Sequence, residues 1–439
     1  HDRKRTVRRA ATLSVHNILE RLKNAEAAHQ KFRNAATPDT VNGLIEVVQE
    51  DDPQVRLAGI HLMGTLKDPS GVSQLIDILG ELDFQEAAAD ALLTVGPAAE
   101  SELLAALDHP DDLIRKSAAR LIGSMGNRST VQKLTGLLGD PNGHVRQSAA
   151  LALGLLQDSR PAESLLPLLH DPYPDVQQAA VFALQKIQAP GISGQLLSLL
   201  ADDRVPCRRN AASVLGHYST PEAEDRLLFA LKDESPEVRT AAVSALGDIQ
   251  GDHSLEGVVF ALSDESADVR LAAVTSLGRV HCLDKVQILT SVLEDEDIWV
   301  RCAAVRELGR TDSRGISDIL IPLLDQEVPP VQIAVLEVLG ERQEEACFAV
   351  FTKSLEHPDK EIRRTAIGGL GKLGNSDGFK LLHHLLDSPD WSERNAVVEA
   401  LGLLGDPRGL TCLREIVVND PDPLIRKTAA EALKTLTER

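Results

Sequence analysis

One glycine spacing in the sequence could bind a phosphate group, Gly369-x-Gly371-x-x-Gly374. Such a loop cradles the pyrophosphate of a dinucleotide only when a strand precedes it and a helix follows it. Here the residues before Gly369 continue a helical apolar pattern, so the glycines are expected to end a helix. We interpret them as a helix cap, and no nucleotide loop is predicted.

Two adjacent pairs of potential metal ligands occur, His281-Cys282 and His383-His384. Neighbouring residues on a helix point about 100° apart, so such a pair cannot normally share one metal ion. The five cysteines form an odd set without CxxC spacing, which favours neither a zinc site nor a disulfide framework. The sequence therefore predicts no catalytic residue, no metal site and no cofactor, and the cysteines indicate a reducing compartment.

The elements that would have to position any site repeat about every 31 residues. The stretch 238–247 returns at 269–278 and again at 300–309. Aligned on a recurring Arg, or on Gln at three places, the register positions are 56, 85, 115, 146, 177, 208, 239, 270, 301, 332, 363, 394 and 426. Thirteen units therefore cover nearly everything after residue 36. This period indicates a solenoid, whose units bury their apolar faces only by stacking on one another.

Each unit has the pattern of a hairpin of two helices. In residues 222–247, leucines recur at helical spacing, a polar run that ends at Pro236 interrupts them, and a second apolar stripe follows. Pro236 suits the first turn of the second helix, and Gly247 is expected to cap its end in a left-handed conformation. With the register residue as position 0, positions −1, +2, +3, +6, +7 and +10 share one side and are predicted to be buried.

The recurring arginine could bind anions, but an aspartate six residues earlier in many units favours a structural role. Asp140 precedes Arg146 in this way, and Asp264 precedes Arg270. We expect the aspartate to accept hydrogen bonds from the guanidinium or from the N-terminus of the second helix. The arginines would then form a ladder of ion pairs along the array.

The pattern Asp-x-x-x-x-Val-Arg-x-Ala-Ala-x-x-Ala-Leu-Gly resembles HEAT repeats, in particular the short subtype named after phycobilisome lyases, over about residues 37–439. The resemblance implies an all-α fold, an α-solenoid superhelix of about thirteen helical hairpins whose second helices line the concave side. It leaves the function open, because this subtype includes lyases, hydroxylases, scaffolds and regulatory fusions. Deoxyhypusine hydroxylases of this class hold two irons with His-Glu pairs, and no histidine of this chain is followed by Glu.

Positions +1 and +5 of the second helices lie opposite the predicted buried stripe, and their residue types vary between units. In a curved HEAT-like array they would face the concave side. Apolar residues occur there in neighbouring units, and basic residues flank them: Leu151, Phe182, Leu271, Cys302 and Ile333, with Lys116, Arg120 and Arg209. Contiguous apolar patches on soluble proteins often mark interaction sites. We predict that these residues bind a protein or peptide; the alternative is that neighbouring helices partly bury them.

Two tryptophans, Trp299 and Trp391, lie in the turns just before second helices. An exposed tryptophan can anchor a partner. Packing of each ring against the neighbouring turn is the expectation that we favour.

Charge divides the chain into a basic start and an acidic remainder. The net charge is −20, yet residues 1–35 hold nine Lys or Arg against three Asp or Glu, which leaves −26 for the rest. Affinity for phosphates comes from Lys and Arg, so general binding of nucleic acid or of anionic membrane is disfavoured. The basic head alone fits an acidic partner, or a juxtamembrane position after a missing part of the chain.

Residues 1–36 are predicted to form a basic helix that covers the first repeat of a solenoid over residues 37–439, because the end of a solenoid needs its apolar face covered. The apolar stripe of this helix is expected at Ala11, Val15, Ile18, Leu22 and Ala25. The chain starts at His1 rather than Met, and we expect it to be part of a longer protein.

These observations predict a non-catalytic protein–protein interaction scaffold or adaptor of the cytoplasm, which holds a protein or peptide on its concave surface. We expect it to belong to a larger bacterial signalling or regulatory protein. The alternative implied by the resemblance is a bilin (phycobilin) lyase or a chaperone-like subunit acting on a tetrapyrrole protein, although no residue marks a bilin site. A HEAT-like enzyme for damaged DNA would need a basic groove, against which the acidic remainder argues.

Overall fold

The computed structural model describes residues 2–21, 26–251 and 253–437, and in this part of the chain the regular structure is helical, without a strand. The chain forms two compact units, His1–Ala230 and Leu231–Arg439. Within each unit the first and second helices of the repeats alternate along the chain, and successive second helices pack side by side. The prediction of an all-α solenoid is confirmed.

The helices of the first unit are α1 (Asp2–Arg21), α2 (Glu26–Ala35), α3 (Pro38–Val47), α4 (Pro53–Leu66), α5 (Val72–Ile78), α6 (Gln85–Val95), α7 (Glu100–Ala106), α8 (Asp112–Met125), α9 (Val131–Gly136), α10 (Gly143–Leu156), α11 (Ala162–Leu165), α12 (Pro174–Ile187), α13 (Ser193–Leu199), α14 (Val205–Leu215) and α15 (Pro221–Ala230). Short 3₁₀ helices adjoin some of them, at Pro69–Gly71, Gly96–Ala99, Arg128–Thr130, Leu137–Gly139, Leu166–His170 and Pro190–Ile192. From α4 to α14, the even-numbered helices are the second helices of repeats.

The helices of the second unit are α16 (Pro236–Ile249), α17 (Ser254–Ala261), α18 (Ala267–Arg279), α19 (Lys285–Val292), α20 (Ile298–Gly309), α21 (Ile316–Leu320), α22 (Leu323–Gln326), α23 (Pro329–Arg342), α24 (Phe348–Ser354), α25 (Lys360–Leu373), α26 (Gly378–Leu385), α27 (Trp391–Leu404), α28 (Arg408–Asn419) and α29 (Pro423–Thr437), with a 3₁₀ helix at Glu345–Cys347. The second helices here are α16, α18, α20, α23, α25, α27 and α29.

The predicted start of the second helices is confirmed. The register residue is the fourth residue of its helix in every second helix except α6, where Gln85 is the first. α16 begins at Pro236, where the missing N–H of proline costs no helical hydrogen bond. Elsewhere an aspartate before the first turn accepts hydrogen bonds from backbone N–H groups, as Asp359 does from Glu361 at 2.8 Å.

The predicted buried stripe is seen clearly in α10. Positions −1, +2, +3, +6, +7 and +10 are all buried, at Val145, Ser148, Ala149, Ala152, Leu153 and Leu156. Full burial of one leucine side chain contributes about 1.5–3 kcal/mol. Much of the covering surface comes from the helices of adjacent repeats, so this stabilisation is shared between repeats.

The expectation that Gly247 caps its helix is wrong. Gly247 lies inside α16, and the left-handed residue after that helix is Gln250, with a φ of 52°. A Cβ atom on Gly247 would lie 2.7 Å from the Cβ of Ser276 on α18. Glycine is needed here because the two second helices approach too closely for a side chain.

The glycine at position +8 recurs as a contact point between successive second helices. A Cβ atom on Gly123 of α8 would lie 2.6 Å from both the Cα and the Cβ of Ala152 on α10. The same relation holds for Gly64 with Ala91, Gly154 with Ala183, Gly309 with Val338, Gly371 with Ala400 and Gly402 with Ala432. Position +8 is therefore covered by the following second helix. Fewer positions of a second helix are exposed to solvent than the predicted buried stripe alone would leave.

The basic residues of α1 pair with acidic residues of the first repeat. The Nε atom of Arg5 donates to Glu50 Oε1 at 2.7 Å, and Arg9 Nη2 donates to Asp52 Oδ2 at 2.6 Å. The hydrogen bond from Arg5 lowers the pKa of Glu50, against the opposing effect of burial. These arginines hold α1 against α3 and α4.

The apolar stripe of α1 differs from the expected one. Thr12 and Leu19 are buried, Val15 is half-buried, and Ala11 and Ile18 are exposed. The buried face is therefore shifted from the predicted face by about one residue. The remaining expected members, Leu22 and Ala25, lie outside the described residues.

Candidate functional site

The register arginines form the expected ladder of ion pairs, with a geometry that the sequence did not reveal. Arg146 donates from Nε and Nη2 to the two carboxylate oxygens of Asp171, at 2.8 and 2.9 Å. Its Nη1 donates to the backbone carbonyl of Asp140 at 2.7 Å. The guanidinium thus joins the turn of its own repeat to the turn of the next repeat.

An aspartate six residues before a register arginine can accept hydrogen bonds from the register arginine of the preceding repeat. Asp140 accepts two hydrogen bonds from Arg115, at 2.8 and 3.0 Å, and one from the backbone N–H of Asn142 at 2.8 Å. In the second unit the same paired geometry joins Arg239 to Asp264 and Arg270 to Asp295. These guanidinium groups are committed to the fold, so they are not a row of anion-binding sites.

We expect this ladder to persist below the ordinary titration range of aspartate. Burial favours the neutral form, but hydrogen bonds from Arg146 and from the N–H of Tyr173 outweigh it and lower the pKa of Asp171. The folded-state pKa then lies below the unfolded value of about 3.9, so the stabilisation is full above that value and is lost as pH falls through the folded pKa. Asp140 behaves in the same way.

The measurement is the melting temperature between pH 7 and pH 2.5 for the wild type and for an Asp140→Asn/Asp171→Asn variant. The difference in melting temperature between the wild type and the variant should be largest at neutral pH and should shrink below about pH 4. Parallel curves down to the lowest pH would contradict the assignment.

Two leucines form an apolar patch on the open face of α10 in the first unit. Leu151 lies at position +5 and Leu155 at position +9, and their exposed fractions are 38% and 55%. Residues four apart lie on the same side of a helix, so the two side chains are neighbours. Leu155 was not among the predicted residues, because position +9 lies outside the +1 and +5 pattern.

Phe182 lies on α12, the next second helix, and is only half exposed. A Cβ atom on Gly154 would lie 3.1 Å from ring atoms of Phe182, so the ring covers that glycine. Lys186 Nζ lies 5.8 Å from the ring centroid. Phe182 therefore extends the patch towards α12 and also packs between the helices. We call Leu151, Leu155 and Phe182 the leucine patch.

The three predicted basic residues lie on the second helices that flank the leucine patch. On α8, Lys116 is half-buried and Arg120 is exposed, with Arg120 Nη2 3.5 Å from Glu86 Oε1. On α14, Arg209 donates to Gln177 Oε1 at 3.1 Å. The patch thus has cationic groups on both sides.

In the second unit the structure keeps two of the three predicted apolar residues at the surface. Leu271 and Ile333 are half-buried on α18 and α23, whereas Cys302 on α20 is 1% exposed. The prediction that Cys302 lines a binding surface is wrong. Its side chain is short, and the charged groups of Arg301, Arg306, Glu327 and Glu337 lie around it. Burial raises the pKa of the Cys302 thiol, so it stays protonated at neutral pH.

The favoured expectation for the tryptophans is also wrong, because Trp299 is largely exposed and Trp391 is about half exposed. Trp299 is 63% exposed and Trp391 is 52% exposed. Trp391 borders a cleft of about 750 Å³ at the starts of α25, α27 and α29. The sequence could have indicated this exposure, because each tryptophan lies at the start of a helix, where few neighbouring side chains can cover a ring.

The pairs of soft ligands are not built into a metal centre. His281 and Cys282 line a cavity of about 290 Å³ together with Lys285, while His383 and His384 lie on α26. Across residues 2–21, 26–251 and 253–437, no three His, Cys, Asp or Glu side chains group as metal ligands. None of the described helices combines the length and apolar character that a membrane crossing requires.

The glycine at the helix contacts and the arginine ladder recur through both units, and a family model matches the same repeats. The model described as HEAT repeats matches residues 100–185, 194–278, 255–340, 286–355, 316–388 and 348–434. The chain belongs to the HEAT-repeat family. The resemblance stated from the sequence is therefore confirmed at the level of the HEAT repeat.

Solved structures similar to the chain include Kap95 complexes that match nearly its whole length. A structure entitled "Kap95:Nup1 complex" has a TM-score of 0.56 at 13% identity, with 98% of this chain and 70% of that chain covered. A Kap95p complex with RanGDP gives 0.53 at 13% identity, with 98% and 76% covered. YibA of Escherichia coli gives 0.44 at 20% identity, with 55% and 91% covered. The two Kap95 likenesses show the fold alone, and no protein of curated function matches the chain significantly.

Proposed function

We propose that this HEAT-repeat chain is a non-catalytic scaffold that holds a protein or peptide on the open faces of its second helices. The observation that carries the proposal is the leucine patch of the first unit. Leu151 and Leu155 expose apolar surface on a helix whose other apolar residues are buried. Contiguous apolar patches on soluble proteins often mark protein interaction sites, and Phe182 on the next second helix extends this one.

The surroundings of the patch favour a protein partner with acidic groups at its edge. Arg120 on α8 and Arg209 on α14 lie on either side of the leucine patch. Their bonds to Glu86 and Gln177 fix the guanidinium groups and leave further N–H donors for a partner. Interfaces commonly combine an apolar centre with a polar rim that sets specificity.

Leu271 and Ile333 form a smaller candidate surface in the second unit, at the same +1 positions of their helices. Both are half-buried, so they offer less apolar area than the leucine patch. The similar Kap95 structures are of protein complexes, with Nup1 and with RanGDP. We extend that use of the fold to this chain and place it as an adaptor in a bacterial signalling or regulatory assembly of the cytoplasm, where its free cysteines stay reduced.

The test is quantitative capture from lysate of the source cells, with wild type, a Leu151→Asp/Leu155→Asp variant and a Leu82→Asp control. Leu82 is an exposed leucine in a loop of the same unit, so it matches the chemical change away from the patch. A partner should bind wild type and the control equally and be lost at least about tenfold with the double variant. Melting temperatures should stay close to that of the wild type, with the larger change in the double variant because Leu151 is only 38% exposed.

Equal retention by all three proteins would contradict the proposal. A coloured tetrapyrrole retained by the wild type without a protein partner would favour the bilin lyase alternative. Both outcomes are read from the same eluates, by mass spectrometry and by absorption.

A further inference from the structure

The cleft beside Trp391 in the last repeats of the second unit combines apolar and cationic side chains. Its lining includes Lys360 and Arg364 from α25, Trp391 and Asn395 from α27, and Leu424 from α29. Trp391 and Leu424 are each about half exposed. Apolar side chains of this size at the first turns of neighbouring helices offer a surface for an aliphatic group.

The cations of the cleft keep hydrogen-bond donors that no neighbouring side chain uses. Arg364 bonds to Glu361 through Nη1 only, which leaves its Nη2 group for a ligand, whereas its Nε is shielded from solvent. Lys360 is exposed; the pKa of Asp390 is lowered mainly by hydrogen bonds from Ser392, and the charge of Lys360 adds to this at longer range. Asp390 itself accepts from the N–H and the Oγ of Ser392, at 2.8 and 2.7 Å.

Asn395 supplies a group suited to a peptide backbone. It follows Trp391 by four residues, so the two side chains lie on the same side of α27. Its Nδ2 donates to Glu399 Oε1 at 2.9 Å, while its Oδ1 is shielded from solvent and has no partner. Once the Asn395 amide turns towards the cleft, a backbone N–H from a bound peptide would satisfy that oxygen.

Gly368 leaves open space one turn beyond Arg364. It lies inside α25, and a Cβ atom there would meet nothing within 4 Å, unlike one on Gly371, which would clash with Ala400. A glycine inside a helix is about 0.5–1 kcal/mol less favourable than alanine. Helix packing does not require glycine at this position, and its bare surface allows another backbone to approach closely.

We propose that this cleft binds an extended peptide segment in which a carboxylate side chain lies next to a large aliphatic one. Lys360 and Arg364 bind the carboxylate, which suits two cations with unused donors in an otherwise acidic chain. The aliphatic group packs on Trp391 and Leu424, and the peptide backbone crosses Gly368 and donates to Asn395. This site is separate from the leucine patch and does not rest on it.

The test uses the two tryptophans of the chain as reporters. In a Trp299→Phe variant, Trp391 is the only tryptophan, and its emission is followed during titration with a blocked peptide of alternating glutamate and leucine. We expect a saturable change in emission that weakens at high salt. A peptide with glutamine in place of glutamate should bind about tenfold more weakly or worse.

Four variants in the Trp299→Phe background locate the site. Arg364→Gln should weaken binding of the glutamate peptide about tenfold, and Gly368→Gln should weaken it by filling the gap. Lys353→Gln, on the first helix α24 of the same unit, should leave binding unchanged. Gly368→Ala should raise the melting temperature, which shows that position 368 tolerates a side chain in the free protein.

Two results would overturn the proposal. One is equal affinity for the glutamate and glutamine peptides, which would leave no role for Lys360 and Arg364. The other is the absence of any saturable change up to millimolar peptide. This titration reports on Trp391 alone. If no partner binds the leucine patch, the titration can still succeed, so the two sites are tested separately.

Discussion

Replacing Gly123 by valine should disrupt the packing of α8 against α10 and remove at least about 3 kcal/mol from the free energy of unfolding of that region. A Cβ atom at this position would lie 2.6 Å from the Cα of Ala152, which is backbone and cannot rotate away. Overpacking of a tight core typically costs about 1–3 kcal/mol, and a clash with backbone belongs at or above the upper end.

Native-state hydrogen exchange is the suitable measurement, because a repeat array opens in parts and one melting temperature averages over them. Amides of α8 and α10 should lose protection in the Gly123→Val variant. The control is Gly136→Val, at the end of α9, where a Cβ atom meets nothing within 4 Å. Similar loss of protection in both variants would show that close approach at position +8 is not the cause.

Replacing Arg270 by alanine should cost about 3–5 kcal/mol, since it removes one partner of a buried ion pair. Arg270 donates to both oxygens of Asp295, at 2.8 and 2.9 Å, and to the carbonyl of Asp264 at 2.9 Å. The side chains of Arg270 and Asp295 are only 7% and 10% exposed. The substitution leaves the Asp295 carboxylate with only the backbone N–H of Asp297 as a donor, and it removes the guanidinium donor of the Asp264 carbonyl.

Three variants separate the contribution of the ion pair with Asp295 from that of the hydrogen bond to the Asp264 carbonyl. Arg270→Gln should be milder than Arg270→Ala, because Gln177 at the matching position keeps the bond to the carbonyl of Asp171, at 2.7 Å. Lys353→Ala, which removes a fully exposed pair with Asp325, should cost less than about 1 kcal/mol. Urea unfolding and hydrogen exchange of the second unit measure all three. Equal costs for Arg270→Ala and Lys353→Ala would refute the structural role of the ladder.

The repeat register and the helical hairpins could be predicted from the sequence, since both depend on local signals. Arg146 and Arg270 each occupy the fourth position of a helix, and Pro236 opens α16. Their spacing along the chain is sufficient to place the first turn of each second helix, although the bonds of these arginines to the next repeat could not be predicted from it. The buried stripe of α10 follows from the same 3.6-residue period.

The contacts between repeats could not be predicted in the same way. A helical wheel treats the second helix as packed on one side, whereas Gly154 and Gly247 show that it also touches the following second helix at position +8. That second contact buries position +8. Leu155 was missed because position +9 lies outside the +1 and +5 pattern used for the prediction. Burial of Cys302 and exposure of Trp391 depend on which neighbouring side chains are long enough to cover them, and spacing alone does not reveal this.

The central claim, that the leucine patch holds a protein partner, is tested most directly by a photo-crosslinking amino acid placed at position 155 and expressed in the source cells. The same amino acid at position 82, in a loop of the same unit, is the control. The account predicts a defined crosslinked partner from position 155 that is absent from position 82 and is lost when Leu151→Asp is added. Identical crosslinks from both positions, or none from position 155, would contradict it.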